Sequence, residues 1–372
     1  MSLTDQIKDF GLDLGYHAVG ITSAEPFPQL EECLETSGSD YGDFPTLPQA
    51  VDPKNNLPEA KSVVVLIYDY ATEGFPQELL GRVARLYQAR CFLTPATRIH
   101  GVRHQLMRQF LQERGLRLGP ARPAGIADRQ AAVRAGLAQF GKNTFINVPG
   151  MGSFVMIYSI VVDAELEYDE PQEGFHCPPR CHACKDACPT GAIVADGRMV
   201  PRMCIALNNF ITRTPDRHYI PAEIREKMGS SVHGCDRCQE ACPRNQTKLK
   251  ARPPVHPFLA EKAREFDLPS MLRLTDEYYD RVVGPLMYNY IRDRKFFRRN
   301  AAIALGNLGD RAAVPALAGA LLDPEEVVRA HAAWALGRLG GERAHQALGS
   351  ALKRESGDCA RQEIEQALAA LS

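Results

Sequence analysis

The chain has 372 residues, which is enough for two or three domains that each bury a core. Apolar residues make up 45% of the chain and charged residues 24%, and the formal net charge is −1. This balance is typical of a soluble globular protein and excludes a global attraction to nucleic acid or membrane. The N-terminus shows no signal-peptide pattern, and no apolar run is long enough to span a bilayer. We therefore expect a cytoplasmic protein.

The first 170 residues alternate between helical and strand patterns. Helical spacing of apolar residues predicts helices over residues 3–15, 76–92 and 98–115. Strands are predicted over residues 17–24 and 62–70, and residues 152–168 predict either one long strand or a hairpin. The strand over 62–70 is too apolar for the edge of a sheet. The loop of residues 37–56 is rich in Gly, Pro, Asp and Asn and is predicted to form an irregular lid.

The C-terminal tail contains an internal repeat. Residues 298–310 (RRNAAIALGNLGD) recur as residues 329–341 (RAHAAWALGRLGG), a displacement of 31 residues. Small residues where helices touch, followed by a Leu-Gly stop, indicate a HEAT-like helical repeat. Two units are too few to be stable alone, so we expect the array to pack on the rest of the chain.

Eight of the eleven cysteines lie in one window between Cys177 and Cys242. The other three, Cys33, Cys91 and Cys359, show no spacing pattern. Cysteines grouped in this way in a cytosolic protein are far more often metal ligands than disulfide partners.

The spacing of the grouped cysteines predicts two [4Fe-4S] clusters. The first run is C-x3-C-x2-C-x3-C-P, and the second is C-x2-C-x3-C-P. In two-cluster ferredoxins the cysteine before the proline binds the other cluster. The first cluster would then take Cys177, Cys181, Cys184 and Cys242, and the second would take Cys188, Cys204, Cys235 and Cys238. The x3 gap after Cys177 departs from the usual x2.

The alternative is a zinc ribbon, since two C-x2-C pairs about fifty residues apart can hold one zinc ion. Zinc would leave four cysteines without a role and both Cys-Pro endings without a reason.

Two clusters in series transport electrons, so a further cofactor or substrate must accept those electrons. The sequence contains no nicotinamide-binding glycine motif and no Walker motif.

Residues 134–146 (RAGLAQFGKNTFI) and 150–154 (GMGSF) resemble a segment of the epoxyqueuosine reductases. The resemblance continues through CHACKDACPTGAI, IPAEIREKMG, GCDRCQEACP and FFRRNAAIALGNLGD, in the same order. It covers about residues 60 to 340.

The resemblance implies an α+β fold in four parts: a cobalamin-binding α/β domain (1–170), a two-cluster ferredoxin-like domain (171–250), a helical connector (251–290) and HEAT-like repeats (291–372). It also implies an enzyme that passes single electrons through the clusters to base-off cobalamin and reduces epoxyqueuosine in tRNA to queuosine. A low-potential donor would supply the electrons to a monomeric enzyme. By the same resemblance, the cobalamin contacts would come from His100, Lys142, Asn143, Thr144, Gly152 and Ser153.

The chain departs from the family where a catalytic aspartate is expected. The family carries it about a dozen residues before the Arg-Ala-Gly-Leu run, where this chain has Arg122 and Pro123. Asp128 is the nearby carboxylate that could supply a proton to the opening epoxide. It is equally suited to cap the helix that follows it. Two other functions therefore stay open: reduction of a different substrate with the same cofactors, and electron transfer to a separate corrinoid enzyme.

The segment from Arg292 to Arg299 (RDRKFFRR) carries five basic residues and two phenylalanines. Together with Lys248, Lys250 and Arg252 it is a candidate surface for the tRNA backbone. A solvated helix face is the alternative.

Overall fold

The structure is a computed structural model that describes residues 1–37, 47–89, 91, 99–120, 125–172, 177–210, 218–287 and 293–371. Seven strands are present in these ranges: β1 Ala18–Ser23, β2 Ser62–Asp69, β3 Gln139–Phe140, β4 Ile146–Asn147, β5 Val155–Val162, β6 Ile193–Ala195 and β7 Arg198–Met199. Within the described residues, no helix is long and apolar enough to cross a membrane.

The described helices of the N-terminal and cysteine-rich parts are α1 Leu3–Asp13, α2 Pro28–Ser37, α3 Leu47–Ala50, α4 Arg85–Gln88, α5 Ile99–Glu113, α6 Asp128–Arg134, α7 Ala183–Asp186, α8 Ile205–Asn208, α9 Ala222–Met228, α10 Arg237–Glu240 and α11 Gln246–Ala251. Those that follow are α12 Pro257–Glu265, α13 Leu268–Arg273, α14 Asp276–Tyr278, α15 Gly284–Leu286, α16 Lys295–Leu308, α17 Val314–Ala320, α18 Glu326–Leu339, α19 Glu342–Leu352 and α20 Asp358–Leu371.

The chain divides into two compact units. The first unit is Met1–Gly74, Ala89–Arg202 and Arg237–Pro254, and the second is Phe75–Gln88, Met203–Asp236 and Val255–Ser372. Residues 203–236 group with the helical repeats and not with the other cysteines, and the four-part organisation expected from the sequence stays a prediction.

A three-stranded antiparallel sheet in the order β1-β2-β5 is the centre of the first unit. Side chains of the central strand β2 alternate between its two faces, and both faces are covered, as its uninterrupted apolar sequence predicts. Val63, Val65 and Ile67 pack with the alanines of α6, whereas Val64 and Leu66 pack with Ile7 of α1 and with Met107 and Leu111 of α5. The predicted strands over 17–24 and 62–70 are confirmed. Of residues 152–168, only Val155–Val162 form a strand, β5, so the expected single strand is present but shorter, and the alternative hairpin is not formed.

One predicted helix is wrong. Residues 76–92 contain a 3-10 turn at Gln77–Leu79 and the four-residue helix α4. Gly81 between them has a φ of +77°, which a continuous helix does not permit. In addition, the backbone of Val83 pairs with that of His233. Tertiary pairing therefore overrides the helical spacing in this segment. The predicted helix over 98–115 is confirmed as α5. Residues 38–46 of the predicted lid lie outside the described residues.

In the second unit, α16 to α20 form the helical repeats. Helix α16 ends at Gly309 in the left-handed conformation (φ +73°), as the Leu-Gly stop predicts. Its polar residues face inward. Arg299 is fully buried and donates to the carbonyls of His218 (2.8 Å) and Asn208 (2.9 Å). Asn300 donates to the carbonyls of Asn209 and Val232. The repeat thus satisfies backbone groups of the irregular segment that contains Cys204 and Cys235.

Candidate functional site

The first predicted ligand set lies within the first unit, on two short loops. Cys181 and Cys184 flank the start of α7, and Cys177 precedes them in an irregular segment. Cys242 immediately precedes a 3-10 turn, Pro243–Asn245, whose proline has no N–H to satisfy. Helices α7 and α10 pack against each other.

All four cysteines of this set line one cavity of about 280 Å³ of empty space, part of it open to solvent. Burial, with Cys177 and Cys242 adding to it, raises the pKa of the Cys184 thiol. Burial also raises the pKa of the Cys242 thiol, and Cys177 and Cys181 raise it further. The hydrogen bond from the backbone N–H of Arg244 lowers this pKa but does not outweigh burial. The four sulfurs are therefore electrostatic neighbours, and metal ions would relieve the repulsion between their thiolates.

The number of cysteines at this cavity equals the four ligands that a [4Fe-4S] cluster takes. No group of three His, Cys, Asp or Glu side chains in the described ranges converges closely enough to hold one metal ion. A cube binds each cysteine to a different iron and therefore needs the four sulfurs further apart than zinc does. A zinc ribbon would pair Cys181 and Cys184 with the second C-x2-C pair, whereas the cysteines that line the cavity with them are Cys177 and Cys242.

The second predicted set takes two cysteines from each unit and stays a prediction. Cys188, in the first unit, accepts hydrogen bonds from the Ala192 N–H (3.3 Å) and pairs with the Thr190 hydroxyl (3.5 Å). Burial alone would raise the pKa of Cys188, but these hydrogen bonds outweigh it, so the pKa is lowered. A thiol surrounded by donors in this way is suited to bind metal as a thiolate.

Cys204 and Cys235 lie in the second unit. Cys204 precedes α8, and Cys235 packs against a cluster of buried isoleucines that includes Ile205. Next to Cys235, the Asp236 carboxylate accepts from both the backbone N–H (2.8 Å) and the guanidinium (3.0 Å) of Arg85. This buried ion pair fixes the start of the C-x2-C turn.

Three of the residues expected to contact cobalamin, Lys142, Asn143 and Ser153, hydrogen-bond to other parts of the protein. Lys142 and Asn143 are buried, and both line the four-cysteine cavity. The Lys142 ammonium donates to the Pro179 carbonyl (2.7 Å), and the Asn143 amide donates to the Cys238 carbonyl (3.4 Å). Thr144 is partly exposed and has a φ of +67°, which is strained for a β-branched residue.

Gly152 and Ser153 contact Asn245, a residue that sequence reasoning did not assign. The Asn245 amide oxygen accepts from the Ser153 N–H (2.9 Å), and its NH₂ donates to the Ser153 hydroxyl (2.9 Å) and the Gln239 carbonyl (2.7 Å). Gly152 has a φ of +76°, and a Cβ there would collide with the Asn245 amide. The polar groups of Lys142, Asn143 and Ser153 hold the cysteine-bearing loops, and their contact with a corrinoid stays a prediction. No spacing rule identifies Asn245 in advance.

His100 lies on α5, and its side chain is outside the described residues. Asp128 begins α6 on the face of the sheet that contains Ser159 of β5. Burial raises the pKa of Asp128 to about 6, although the Ser159 hydroxyl and Arg129 act in the opposite direction. The capping role is not observed, because the N-cap of α6 is Ala127. Arg122 and Pro123 lie outside the described residues.

The basic segment before the repeats does not present a free positive face in its described part, 293–299. Arg298 pairs with Asp323 (2.7 Å), Lys295 with Asp293 (2.8 Å), and Arg294 with Asp276. Arg299 is fully buried. Intramolecular ion pairs thus engage three of its basic side chains, and a contact of this segment with the tRNA backbone stays a prediction. Lys248 is likewise paired with Asp69 (2.6 Å), whereas Lys250 and Arg252 are exposed.

Two family models match the chain. A "4Fe-4S double cluster binding domain" matches residues 176–245, and "HEAT repeats" match residues 292–369. The first match covers the whole cysteine window and confirms an iron–sulfur domain of the two-cluster type. The second match confirms the repeat that the sequence predicts.

Known proteins are similar to this chain over nearly its whole length. The epoxyqueuosine reductase of Bacillus subtilis (strain 168) is 31% identical over 98% of this chain and 95% of its own length. That of Escherichia coli (strain K12) is 30% identical, over 82% of this chain and 81% of its own.

Two solved structures share the fold. A selenomethionine-labelled epoxyqueuosine reductase has a TM-score of 0.83 and 27% identity, covering 100% of this chain and 99% of that one. An epoxyqueuosine reductase with an epoxyqueuosine-modified tRNA-Tyr stem loop has a TM-score of 0.82 and 28% identity, covering 99% and 98%. On sequence identity, length and fold together, this chain belongs to the epoxyqueuosine reductase family.

Proposed function

We propose that this protein reduces epoxyqueuosine in tRNA to queuosine, with electrons passed through two [4Fe-4S] clusters. The observation that carries the proposal is the cavity lined by Cys177, Cys181, Cys184 and Cys242, in a chain 31% identical to an epoxyqueuosine reductase over 98% of its length. The related structure that contains an epoxyqueuosine-modified stem loop supports tRNA as the partner.

The proposed reaction needs electrons and protons in equal number. Removing the epoxide oxygen as water consumes two electrons and two protons, and each [4Fe-4S] cluster transfers one electron at a time. A low-potential donor must therefore reduce the protein twice per turnover. Asp128 is the proposed proton donor, because a carboxyl group with a pKa of about 6 stays partly protonated near neutral pH.

Cobalamin belongs to the proposal on the strength of the family resemblance. When bound, low-valent cobalt would supply a strong nucleophile that a cluster of low potential can generate. Of the residues predicted to contact it, Thr144 is partly exposed, whereas Lys142, Asn143 and Ser153 are buried. A change of added cobalamin to the base-off absorption spectrum would support this cofactor, and an unchanged spectrum would remove it.

The activity is tested with the full chain, reconstituted with iron and sulfide without oxygen. It is mixed with cobalamin, a low-potential reductant and tRNA that contains epoxyqueuosine, and the nucleosides are identified by mass spectrometry. We expect queuosine to replace epoxyqueuosine, and the Cys184→Ser variant to form none. A fully loaded wild-type protein that leaves epoxyqueuosine unchanged would contradict the proposal and favour a different substrate, as the departure at Arg122 and Pro123 allows.

We also propose a cytoplasmic, monomeric enzyme. The cysteine window matches an iron–sulfur domain, as expected of cysteines in a reducing compartment, and the proposed tRNA substrate is a cytoplasmic molecule. Size-exclusion chromatography with light scattering tests the monomer.

A further inference from the structure

The cavity of the first cluster has a polar wall that does not come from the cysteine-bearing loops. The hairpin of β3 and β4 supplies it: Lys142 and Asn143 lie on the connecting loop, and Asn147 lies on β4. All three side chains line the cavity together with the four cysteines. The hairpin is separated by about thirty residues of chain from the nearest of these cysteines, so the cysteine pattern gives no hint of it.

Lys142 holds two segments around the cavity. Its ammonium donates to the carbonyl of Pro179, which lies between Cys177 and Cys181, at 2.7 Å. It also lies 3.1 Å from the carboxylate of Asp196, on the turn between β6 and β7. On the same turn, the Gly197 N–H donates to the Lys142 carbonyl at 2.9 Å. The side chain is only 7% exposed, so its orientation is fixed by these contacts.

The charges around Lys142 do not cancel. Asp196 is shared with Lys185, whose ammonium lies 2.5 Å from it. Two ammonium groups therefore face one carboxylate, and a net positive charge remains beside the cavity. Asp196 is about half exposed, so solvent screens its field more than that of the buried Lys142.

Asn147 adds a second polar group to this wall. It is 2% exposed, and its side-chain oxygen has no hydrogen-bond partner among the residues that the structure describes. A buried amide that lacks a partner is costly unless the occupant of the cavity supplies one. A cluster offers only sulfur acceptors, so Asn147 can serve it only through its NH₂, with the amide turned by 180°.

We propose that Lys142 sets the reduction potential of the first cluster, with Asn147 as a second contributor. A cube with four thiolates is anionic, and one-electron reduction makes it more so. A buried ammonium stabilises the reduced form more than the oxidised form and raises the potential. This inference rests on the cluster assignment within the proposed function. It gives Lys142 a role at the cluster in place of the cobalamin contact expected from the family resemblance.

The test is a redox titration of the reconstituted full chain, monitored by electron paramagnetic resonance without tRNA. The signal of the first cluster is the one that Cys184→Ser removes. Lys142→Met removes the charge and the hydrogen bond, and we expect a negative shift in the midpoint potential of this cluster alone. Lys142→Arg keeps the charge and should remain close to wild type. Lys54→Met removes an ammonium that pairs with Glu25 outside the cavity, and should cause no shift.

A structural role for Lys142 predicts a different pattern. If Lys142→Met fails to load the cluster, Lys142→Gln retains a donor toward Pro179 and removes only the charge. A fully loaded Lys142→Gln protein with the wild-type potential would overturn the proposal. Weaker binding of added cobalamin with unchanged potentials would also overturn it, in favour of a corrinoid contact. Because the readout is independent of epoxyqueuosine, failure of the proposed reaction would leave this measurement valid.

Discussion

Asn245 makes three hydrogen bonds from a fully buried position. It joins the turn at Gly152 and Ser153 to the loop that contains Cys242, so one amide holds the predicted fourth ligand of the first cluster near the start of β5. The left-handed Gly152 leaves room for it. The side chain therefore acts as a positioning residue for the cavity.

Replacing Asn245 with Leu should lower the free energy of unfolding by about 3 kcal/mol, because the Ser153 N–H and the Gln239 carbonyl lose their partners inside the protein. Urea denaturation of the loaded protein measures the change. Asn55→Leu is the control, since Asn55 is exposed and makes one side-chain hydrogen bond, to the Gln49 carbonyl. Equal losses in the two variants would contradict the role of Asn245.

Asp128 gives a prediction about pH. Its folded pKa of about 6 lies above the ordinary value of 3.8, so the folded state binds the proton more tightly than the unfolded state. The contribution of this raised pKa to the free energy of unfolding is fully present below about pH 4 and is lost as the pH rises through about 6. As proton donor, Asp128 must be protonated, so turnover should fall as the pH rises above about 6.

In the Asp128→Asn variant, turnover should no longer decline as the pH rises. We also expect kcat to fall roughly 100-fold or more, which is the usual contribution of a general acid. The measurement is the pH profile of queuosine formation. If the variant keeps the wild-type rate and profile, the donor is another group.

Among the helices, α16 shows most clearly that the fold can change the interpretation of a sequence pattern. The sequence RDRKFFRR reads as a basic surface, but the fold directs Arg299 inward and pairs Arg298 with Asp323. Asn307 extends the same pattern by donating to the carbonyls of Arg225 and Gly229. The repeat therefore acts as a scaffold for the irregular segment from Cys204 to Asp236.

Arg299→Met should leave the buried carbonyls of His218 and Asn208 without donors and destabilise the second unit by roughly 3 kcal/mol. Thermal unfolding followed by circular dichroism would show this as a lower Tm. Arg343→Met on α19 is the matched control, because Arg343 is exposed and should change the Tm little. A Tm equal to that of the control would mean that solvent replaces the lost donors.

The whole molecule provides the most direct test of the iron–sulfur assignment. Cys184→Ser removes a ligand of the first cluster, and we expect the variant to retain about half of the iron and one of two cluster signals. Iron and sulfide analysis with electron paramagnetic resonance measures both. Cys359→Ser, outside the cysteine window and exposed, should keep the full iron content. Full loading of Cys184→Ser would remove this cysteine from the ligand set.

The amino-acid sequence by itself determined the chemistry that depends on local spacing. The C-x2-C turns, the Cys-Pro endings and the 31-residue repeat are written in consecutive residues, so the two-cluster domain and the HEAT-like repeats could be identified without the fold. The strand over 62–70 was equally readable, because a strand buried on both faces must be apolar throughout.

Only the tertiary structure decided the roles of polar residues that satisfy distant backbone groups. Lys142 lies in a family motif, yet its partners Pro179 and Asp196 are far away in sequence. The same holds for Asn245 with Ser153, and for Arg299 with Asn208. A buried polar side chain is needed where it hydrogen-bonds a backbone group that would otherwise have no partner. The folded backbone, and not the local spacing of residues, decides which group lies beside it.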